Sequence, residues 1–297
     1  MTTLPGGQTV AFVGLNEAEL SVLTSVYSTQ GPALAASVVS VSATPTGILA
    51  PVTVGTVTTS SVVTQAVTGG AGVVTVVDGG APSGGSTGVL TNIVADSSVT
   101  NVILTNVGDN NVTAFFAGEN TTTVAGDYGS QFIIGGSADM TILTGSGNDS
   151  VLGGSGNDIV RSGESSIVNG GSGNDTLIGG SGVSTLGGGA GADSLVAGSG
   201  GSYLIGESGD DTMVGGAGKD VFIYSPGDGN DTIIGFDPTQ DTIGFTSTNF
   251  GSGSLDLGAL ISNAQVSGGN TVLTLPDGST ITVVGLTGVD INWFTAK

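Results

Sequence analysis

Histidine and cysteine are both absent from the 297 residues. The first absence removes Ser-His-Asp and Cys-His catalysis; together they remove disulfides, thiol redox chemistry and zinc sites of the usual ligand types. Bases are almost as scarce, since Arg161, Lys219 and Lys297 stand against 24 acids for a formal charge of −21. Such a chain repels nucleic acid phosphates and anionic membranes and attracts cations. Gathering its carboxylates into a compact object costs self-repulsion unless something neutralises them. Charged residues are only 9% of the total, too few for a charge-rich disordered tail. Glycine supplies 56 residues, but with 8 prolines and no triplet period they do not describe collagen. No apolar run reaches the roughly 18 residues that a spanning helix needs. The opening MTTLPGGQTVAFVG has no basic residue and no apolar core of signal-peptide length, so no cleavable leader is expected there.

One short stretch reads as a helix. Asn16 suits an N-cap with Glu19 three residues on, Leu15 and Leu20 take staple positions, and Gly31-Pro32 ends the run. It would serve as a docking helix or as a lid over an open sheet edge. From Val38 to Val107 the chain is rich in Val, Thr and Ser with glycine breaks, as in GVVTVVDGG, and irregular β-coils are expected.

A period of nine then sets in. From Thr144 the frames are TGSGNDSVL, GGSGNDIVR, a shortened SGESSIVN, GGSGNDTLI, GGSGVSTLG, GGAGADSLV, AGSGGSYLI, GESGDDTMV and GGAGKDVFI, followed after Tyr224-Ser225 by PGDGNDTII. Weaker frames run back to Gly108, with Thr113, Thr122 and Gln131 in the sixth position, so Asp109, Glu119 and Asp127 are expected to be solvated and metal-free. A period this short means a solenoid, and at two frames per coil Gly108–Ile234 makes about seven coils, on the order of 35 Å at sheet spacing. The eighth position is apolar throughout: Val151, Val160, Val168, Leu177, Leu186, Leu195, Leu204, Met213, Phe222 and Ile233 are read as one inward column.

The frames GGSGNDIVR, GGSGNDTLI and GGAGADSLV resemble the nonapeptide G-G-x-G-x-D-x-U-x of RTX calcium-binding proteins, and DGNDTIIGFDPTQDTIGF resembles the segment that closes such repeats. The resemblance implies a parallel β-roll, bound Ca2+, and type I export by an uncleaved C-terminal signal. It is silent on residues 1–107. In a β-roll, turns two frames apart stack on one edge. Sorted that way, the sixth positions separate into Asp158, Asp175, Asp193, Asp211 and Asp231 on one edge, and Asp149, Ser166, Ser184, Ser202 and Asp220 on the other. Calcium takes six to eight oxygens, which glycine-rich turns supply as carbonyls beside the carboxylates; Gly156 and Gly173 are counted with the aspartates as site residues. A ladder of about four ions on the aspartate edge is expected, with few or none on the serine edge. The serines fit either repeat decay or a packing surface. Asp228, Asp237 and Asp241 fit either a further ion at the closing segment or ordinary turn aspartates.

Other motifs carry less. Gly84-Gly85-Ser86-Thr87-Gly88 matches a nucleophile elbow, but no histidine exists to complete a triad. The adjacent acids Asp210 and Asp211 lie inside the repeat, where cation binding explains them better than glycoside chemistry. An ice-binding array is disfavoured because the third position carries Ser and no regular outward threonine file is apparent. Val266–Leu286 reads as a hairpin turned at Pro276-Asp277-Gly278, and Asp290–Phe294 as an export signal, a hydrophobic cap or both.

The expectation is an all-β parallel β-roll/β-helix solenoid with a short N-terminal helix and a C-terminal β cap. Its divisions are 1–45, 46–107, 108–234 (calcium-binding mainly at 144–234) and 235–297. Its function is expected to be that of a secreted, non-enzymatic calcium protein at a bacterial cell surface, self-assembling as a surface layer, biofilm matrix or filament. Further copies of the chain, or a cell-surface polysaccharide, are the expected partners. An adhesin and a polysaccharide-acting enzyme are the alternatives.

Overall fold

The computed structural model describes the strands of the first 99 residues and, from Thr100 onward, every residue except 107–111, 118, 127–128, 248, 251–253 and 296–297. The helix expected after Asn16, the Gly84–Gly88 motif, Asp109 and Asp127 lie outside the described residues. The chain divides into two compact units, Met1–Ser155 and Gly156–Lys297.

In the first unit, parallel strands climb alternately through two sheets. Ser37–Ser42, Val63–Thr68, Leu90–Ala95, Val112–Phe116, Gln131–Ile134 and Ser150–Ser155 pair in that order. Val52–Thr53, Val73–Asp78, Asn101–Asn106, Thr123–Ala125 and Thr141–Leu143 form the other sheet. The registers show why the early coils escaped a period. Val63 pairs with Thr91 and Thr91 with Thr113, offsets of 28 and 22 residues, before Thr113 pairs with Gln131 at the two-nonapeptide offset of 18. The β-branched residues thus build regular parallel coils before the nonapeptide frame begins. Phe115, Val124, Ile133 and Ile142 are fully buried between the sheets.

The second unit keeps the offset almost constant. Ile167 pairs with Thr185, Thr185 with Tyr203 and Tyr203 with Val221, each 18 residues apart. The shortened frame shows up as Ile159 pairing with Thr176, an offset of 17. Three-residue strands at Ile159–Arg161, Thr176–Ile178, Ser194–Val196 and Thr212–Val214 lie opposite longer strands at Ile167–Ser172, Ser184–Ala190, Ser202–Ser208 and Val221–Tyr224. The eighth-position column is the core: from Leu177 to Ile233 each of its members is 0% exposed. It is one side chain wide per strand, a thin core for so much backbone.

The outward rows correct one expectation. Thr176, Ser194, Thr212, Thr232 and Thr282 stand in a single register on the outer face of the short-strand sheet, so a regular hydroxyl file exists at the seventh position. The third position, which carries Ser, lies in the turns.

After Asn230–Ile234 and Thr242–Phe245 the chain leaves the repeat. A helix at Leu257–Ser262, capped by Asp256 accepting from the Gly258 and Ala259 N–H groups, was not foreseen. The hairpin was: Asn270–Thr274 and Thr280–Val283 are antiparallel, and the Leu275 N–H donates to Ser279 O across the predicted turn. Thr280–Val283 then pairs in parallel with Asn230–Ile234, and Phe294–Thr295 with Thr242–Phe245. Trp293 is buried and sits 5.1 Å from Phe236, which in turn lies 5.8 Å from Phe222 at the end of the core column. These rings cover the last coil, as an all-β solenoid with a β cap requires. No helix among the described residues is long and apolar enough to cross a membrane.

Candidate metal centre

Each GGxGxD segment turns the chain between the two sheets, and glycine at the fourth position makes the stacking possible. Gly173, Gly191, Gly209 and Gly229 all have left-handed φ, and a Cβ on any of them would collide with the carbonyl oxygen of the fourth-position glycine one coil earlier. The carbonyls of Gly156, Gly173, Gly191 and Gly209 therefore project towards the next turn.

The sixth-position aspartates close on one another coil by coil. The N–H groups of Asp158, Asp175, Asp193 and Asp211 donate to Oδ1 of Asp175, Asp193, Asp211 and Asp231, at 2.7, 2.7, 2.8 and 2.9 Å. All five carboxylates are buried. The other oxygen of Asp193 and of Asp211 points back into its own turn, for a Cβ on Gly188 or Gly206 would strike Oδ2 of Asp193 or Asp211. These two oxygens and Oδ2 of Asp231 are buried and accept no hydrogen bond. A buried carboxylate oxygen left in that state is destabilising.

Electrostatics reinforces the point. Burial pushes Asp193 up to about 6, opposed by the Asp175 N–H and assisted by the charges of Asp211, Asp175 and Glu207. Burial likewise raises Asp231 to about 7, with Asp211, Asp228 and Asp210 adding to it. Asp211 is raised for the same reason. The edge thus calls for positive charge, from protons or from a cation. Among the described residues no three acids converge on one point, so a cation here must take most of its oxygens from the main chain. The donor set is all oxygen, suited to a hard cation, and these residues fit calcium.

The opposite edge differs. The Ser166 N–H donates to Ser184 Oγ at 3.4 Å, a neutral and long contact. Asp149, in the first unit, accepts from the Gln131 N–H at 3.0 Å; that sixth position holds a buried neutral amide instead of a second carboxylate. Only at the far end does a pair of acids return: the Asp220 N–H donates to Asp241 Oδ1 at 2.9 Å, and Oδ1 of Asp220 is buried without a hydrogen-bond partner.

Of the closing-segment trio, Asp237 and Asp241 are brought together, the Asp237 N–H donating to Asp241 Oδ2 at 2.8 Å, while Asp228 lies apart from them. Asp241 continues the serine edge below Asp220. Asp228 joins the end of the aspartate edge, near Asp211, Glu207 and Asp277, where burial raises it to about 6. Asp237 is exposed and accepts from the Thr239 N–H, Thr239 Oγ1 and Gln240 Nε2, hydrogen bonds that hold its carboxyl below the usual range. It is a turn aspartate with its lone pairs engaged.

A second ladder was missed. At the fifth position the Asn174 N–H donates to Asn157 Oδ1, the Ala192 N–H to Asn174 Oδ1 and the Asn230 N–H to Asp210 Oδ1, at 2.8, 2.8 and 2.9 Å. These bonds run opposite in sense to those at position six, so adjacent side chains lock each turn to both neighbours. The signal was present in the recurrence of Asn at that position on one edge, at Asn157, Asn174 and Asn230, whereas the other edge has Asn148 and then Ser165, Val183, Gly201 and Lys219. Also unforeseen is Glu207, the one described non-glycine residue with positive φ, at 68°.

A pH dependence follows. Asp193, Asp211 and Asp231 are raised above their unfolded value of 3.8, so the folded metal-free state binds more protons than the unfolded one. Its stability must then fall as pH rises from about 4 through 7, with the penalty fully present above that range. Without calcium, the far-ultraviolet β signal of the repeat is expected to be stronger at pH 5 than at pH 8, where the fold is lost; the reverse order would contradict these environments.

Comparison with known proteins agrees with this geometry. Residues 125–160, 162–186 and 187–222 match the family described as the RTX calcium-binding nonapeptide repeat. The fold and the turns define a calcium-binding β-roll. The chain carries that repeat over those residues. A similar solved structure is the extracellular lipase LipA from Serratia marcescens, at 19% identity and a TM-score of 0.32, covering 57% of this chain and 40% of the lipase. The chain thus spans less than half of that enzyme's length. No curated protein matches it.

Proposed function

We propose that this is a secreted, non-enzymatic structural protein whose repeat region folds on calcium outside a bacterial cell and then assembles with further copies, as a surface layer, biofilm matrix or filament. The observation that carries the reading is the file of buried aspartates, in which Asp193, Asp211 and Asp231 each keep a buried oxygen that accepts no hydrogen bond, in a chain of charge −21. Asp158, Asp175, Asp193, Asp211 and Asp231, with turn carbonyls including those of Gly156 and Gly173, would hold about four ions between successive turns. Asp220 with Asp241 would hold one more at the end of the serine edge, while Asp149 faces the neutral Gln131 and Asp237 spends its oxygens on Thr239 and Gln240. Asp228 would complete the last turn of the aspartate edge.

Sites of this extracellular kind bind at about 10⁻⁴–10⁻³ M, so the low calcium of the cytosol leaves the repeat unfolded and exportable. Type I export through the C-terminal segment fits such a switch, since folding is then withheld until the chain reaches calcium. Assembly is supported by Ile167 and Val183 beside the serine edge, 62% and 55% exposed on a surface where metal is not expected. Electron microscopy with and without calcium tests it: ordered sheets or fibres only with calcium support assembly, and monomers under both conditions refute it.

Substitution separates the two edges. Asp193→Asn removes a carboxylate shared by two turn–turn spaces and is expected to lower bound calcium by about one to two ions per chain. Ser184→Ala should leave the ion count unchanged. Titration calorimetry reads both; equal losses would show that the edges do not differ.

A further inference from the structure

The outer face of the longer-strand sheet carries a groove of about 340 Å³. Tyr203 and Lys219 stand on one side, Thr242 and Thr295 on the other, and Val221 with Gly244 forms the floor. Tyr203, Val221 and Thr242 occupy one register on three successive coils, so the groove exists only when those coils are stacked. Gly244 pairs with Ile223 on one side and Thr295 on the other and has no side chain, which leaves a dip between them. Its φ is not left-handed, so conformation does not require glycine there.

The lining is specific in its chemistry. No acidic residue lines the groove, although the chain carries 24 acids. One of its three bases does. Tyr203, 45% exposed, offers a flat apolar ring ending in a hydroxyl, and Thr242, Thr246 and Thr295 add three more hydroxyls. A partner that fits must have an apolar face, a rim of hydroxyls and one negative charge. An extended peptide is a poorer match, because peptides added to sheets pair with free edges, and the strands bearing Tyr203, Val221 and Thr242 are already paired on both sides.

The geometry points to a binding site for an acidic sugar, a uronic acid unit within a polysaccharide chain, seated against Tyr203 with its carboxylate on Lys219. A sugar ring has the required faces, the volume lies within the range of small-molecule sites, and the groove is open so that a polymer can continue beyond it. Lysine serves as a point charge for the carboxylate. This deepens the extracellular reading by naming what the folded roll would adhere to, and it rests on that reading only for the calcium-folded state.

The test is titration calorimetry of the full calcium-loaded chain with a hyaluronan tetrasaccharide, free glucuronate and the neutral maltotetraose, at low and high salt. The expected result is binding of the hyaluronan fragment, weaker binding of glucuronate alone and none of maltotetraose, with affinity lowered about tenfold by Lys219→Met and by Tyr203→Ala. Gly244→Val, which fills the dip, should abolish binding. Circular dichroism of each variant across a calcium titration reports folding separately, so a variant that fails to fold is recognised and Lys219→Met, on the exposed wall, remains informative. Equal affinity for acidic and neutral sugars, an unchanged affinity in a folded Lys219→Met, or no binding by the folded protein would overturn the assignment. In those outcomes calcium-driven folding and assembly, read on the same samples, would still stand or fall on their own.

Discussion

Chelation of calcium from the folded protein is expected to dismantle the second unit: the β signal in far-ultraviolet circular dichroism collapses, and proteases cut within residues 156–234. The core there is a single column of eighth-position side chains, Val160 to Ile233, and cannot hold apart a file of carboxylates on its own. Linkage gives the scale. At a hundred times its dissociation constant, an ion stabilises the state that binds it by about 2.7 kcal/mol, so four ions supply about 11 kcal/mol. That equals the whole net stability of an ordinary domain. Restoring calcium should restore both signals, with a sigmoidal dependence, because each Asp193-type carboxylate faces two turns and its neighbours bind together. A chelated protein with unchanged dichroism and protease resistance would mean that apolar packing suffices.

The second large effect concerns Gly191. Its φ is +140°, and a Cβ would strike the Gly173 carbonyl oxygen. Relief by movement is blocked, because the Gly173 N–H donates to Ala190 O at 2.8 Å and the Gly191 N–H to Ser208 O at 2.9 Å, fixing the backbone from both neighbouring coils. Gly191→Ala is therefore expected to cost about 3 kcal/mol or more, combining left-handed strain with a backbone clash. It should also raise the calcium concentration needed for folding, since the carbonyls of that turn are displaced. Gly278→Ala is the control. Its φ is +97° but nothing lies within 4 Å of the added carbon, so only the strain of about 1–2 kcal/mol applies. Calcium-dependent unfolding of the two variants decides it; equal losses would mean that stacking of the fourth-position glycines is unimportant.

Much of this was readable from residues alone, for physical reasons. A nonapeptide with one apolar position and a six-residue turn leaves little freedom, so the eighth-position column and the division of Asp from Ser by edge follow directly from counting. The ladders do not. That an aspartate spends one oxygen on the N–H of the previous coil and keeps the other in its own turn depends on backbone directions that spacing does not encode, and the reversed fifth-position ladder was hidden for the same reason. Before Thr113 the offsets of 22 and 28 residues leave no constant period to find, although Val and Thr still announce strands. Asp237 was grouped with Asp228 by proximity in sequence, whereas Thr239 and Gln240 claim its oxygens within one turn. The helix at Leu257–Ser262 had a legible N-cap in Asp256, obscured by the alternating residues that follow it.

The central claim is that calcium binds one edge of the roll in preference to the other. Anomalous diffraction from crystals grown in calcium, at a wavelength where calcium scatters strongly, tests it most directly. Peaks are predicted between the turns bearing Asp158, Asp175, Asp193, Asp211 and Asp231, and none between those bearing Ser166, Ser184 and Ser202. Equal peaks along both edges, or none beside the aspartates, would contradict it.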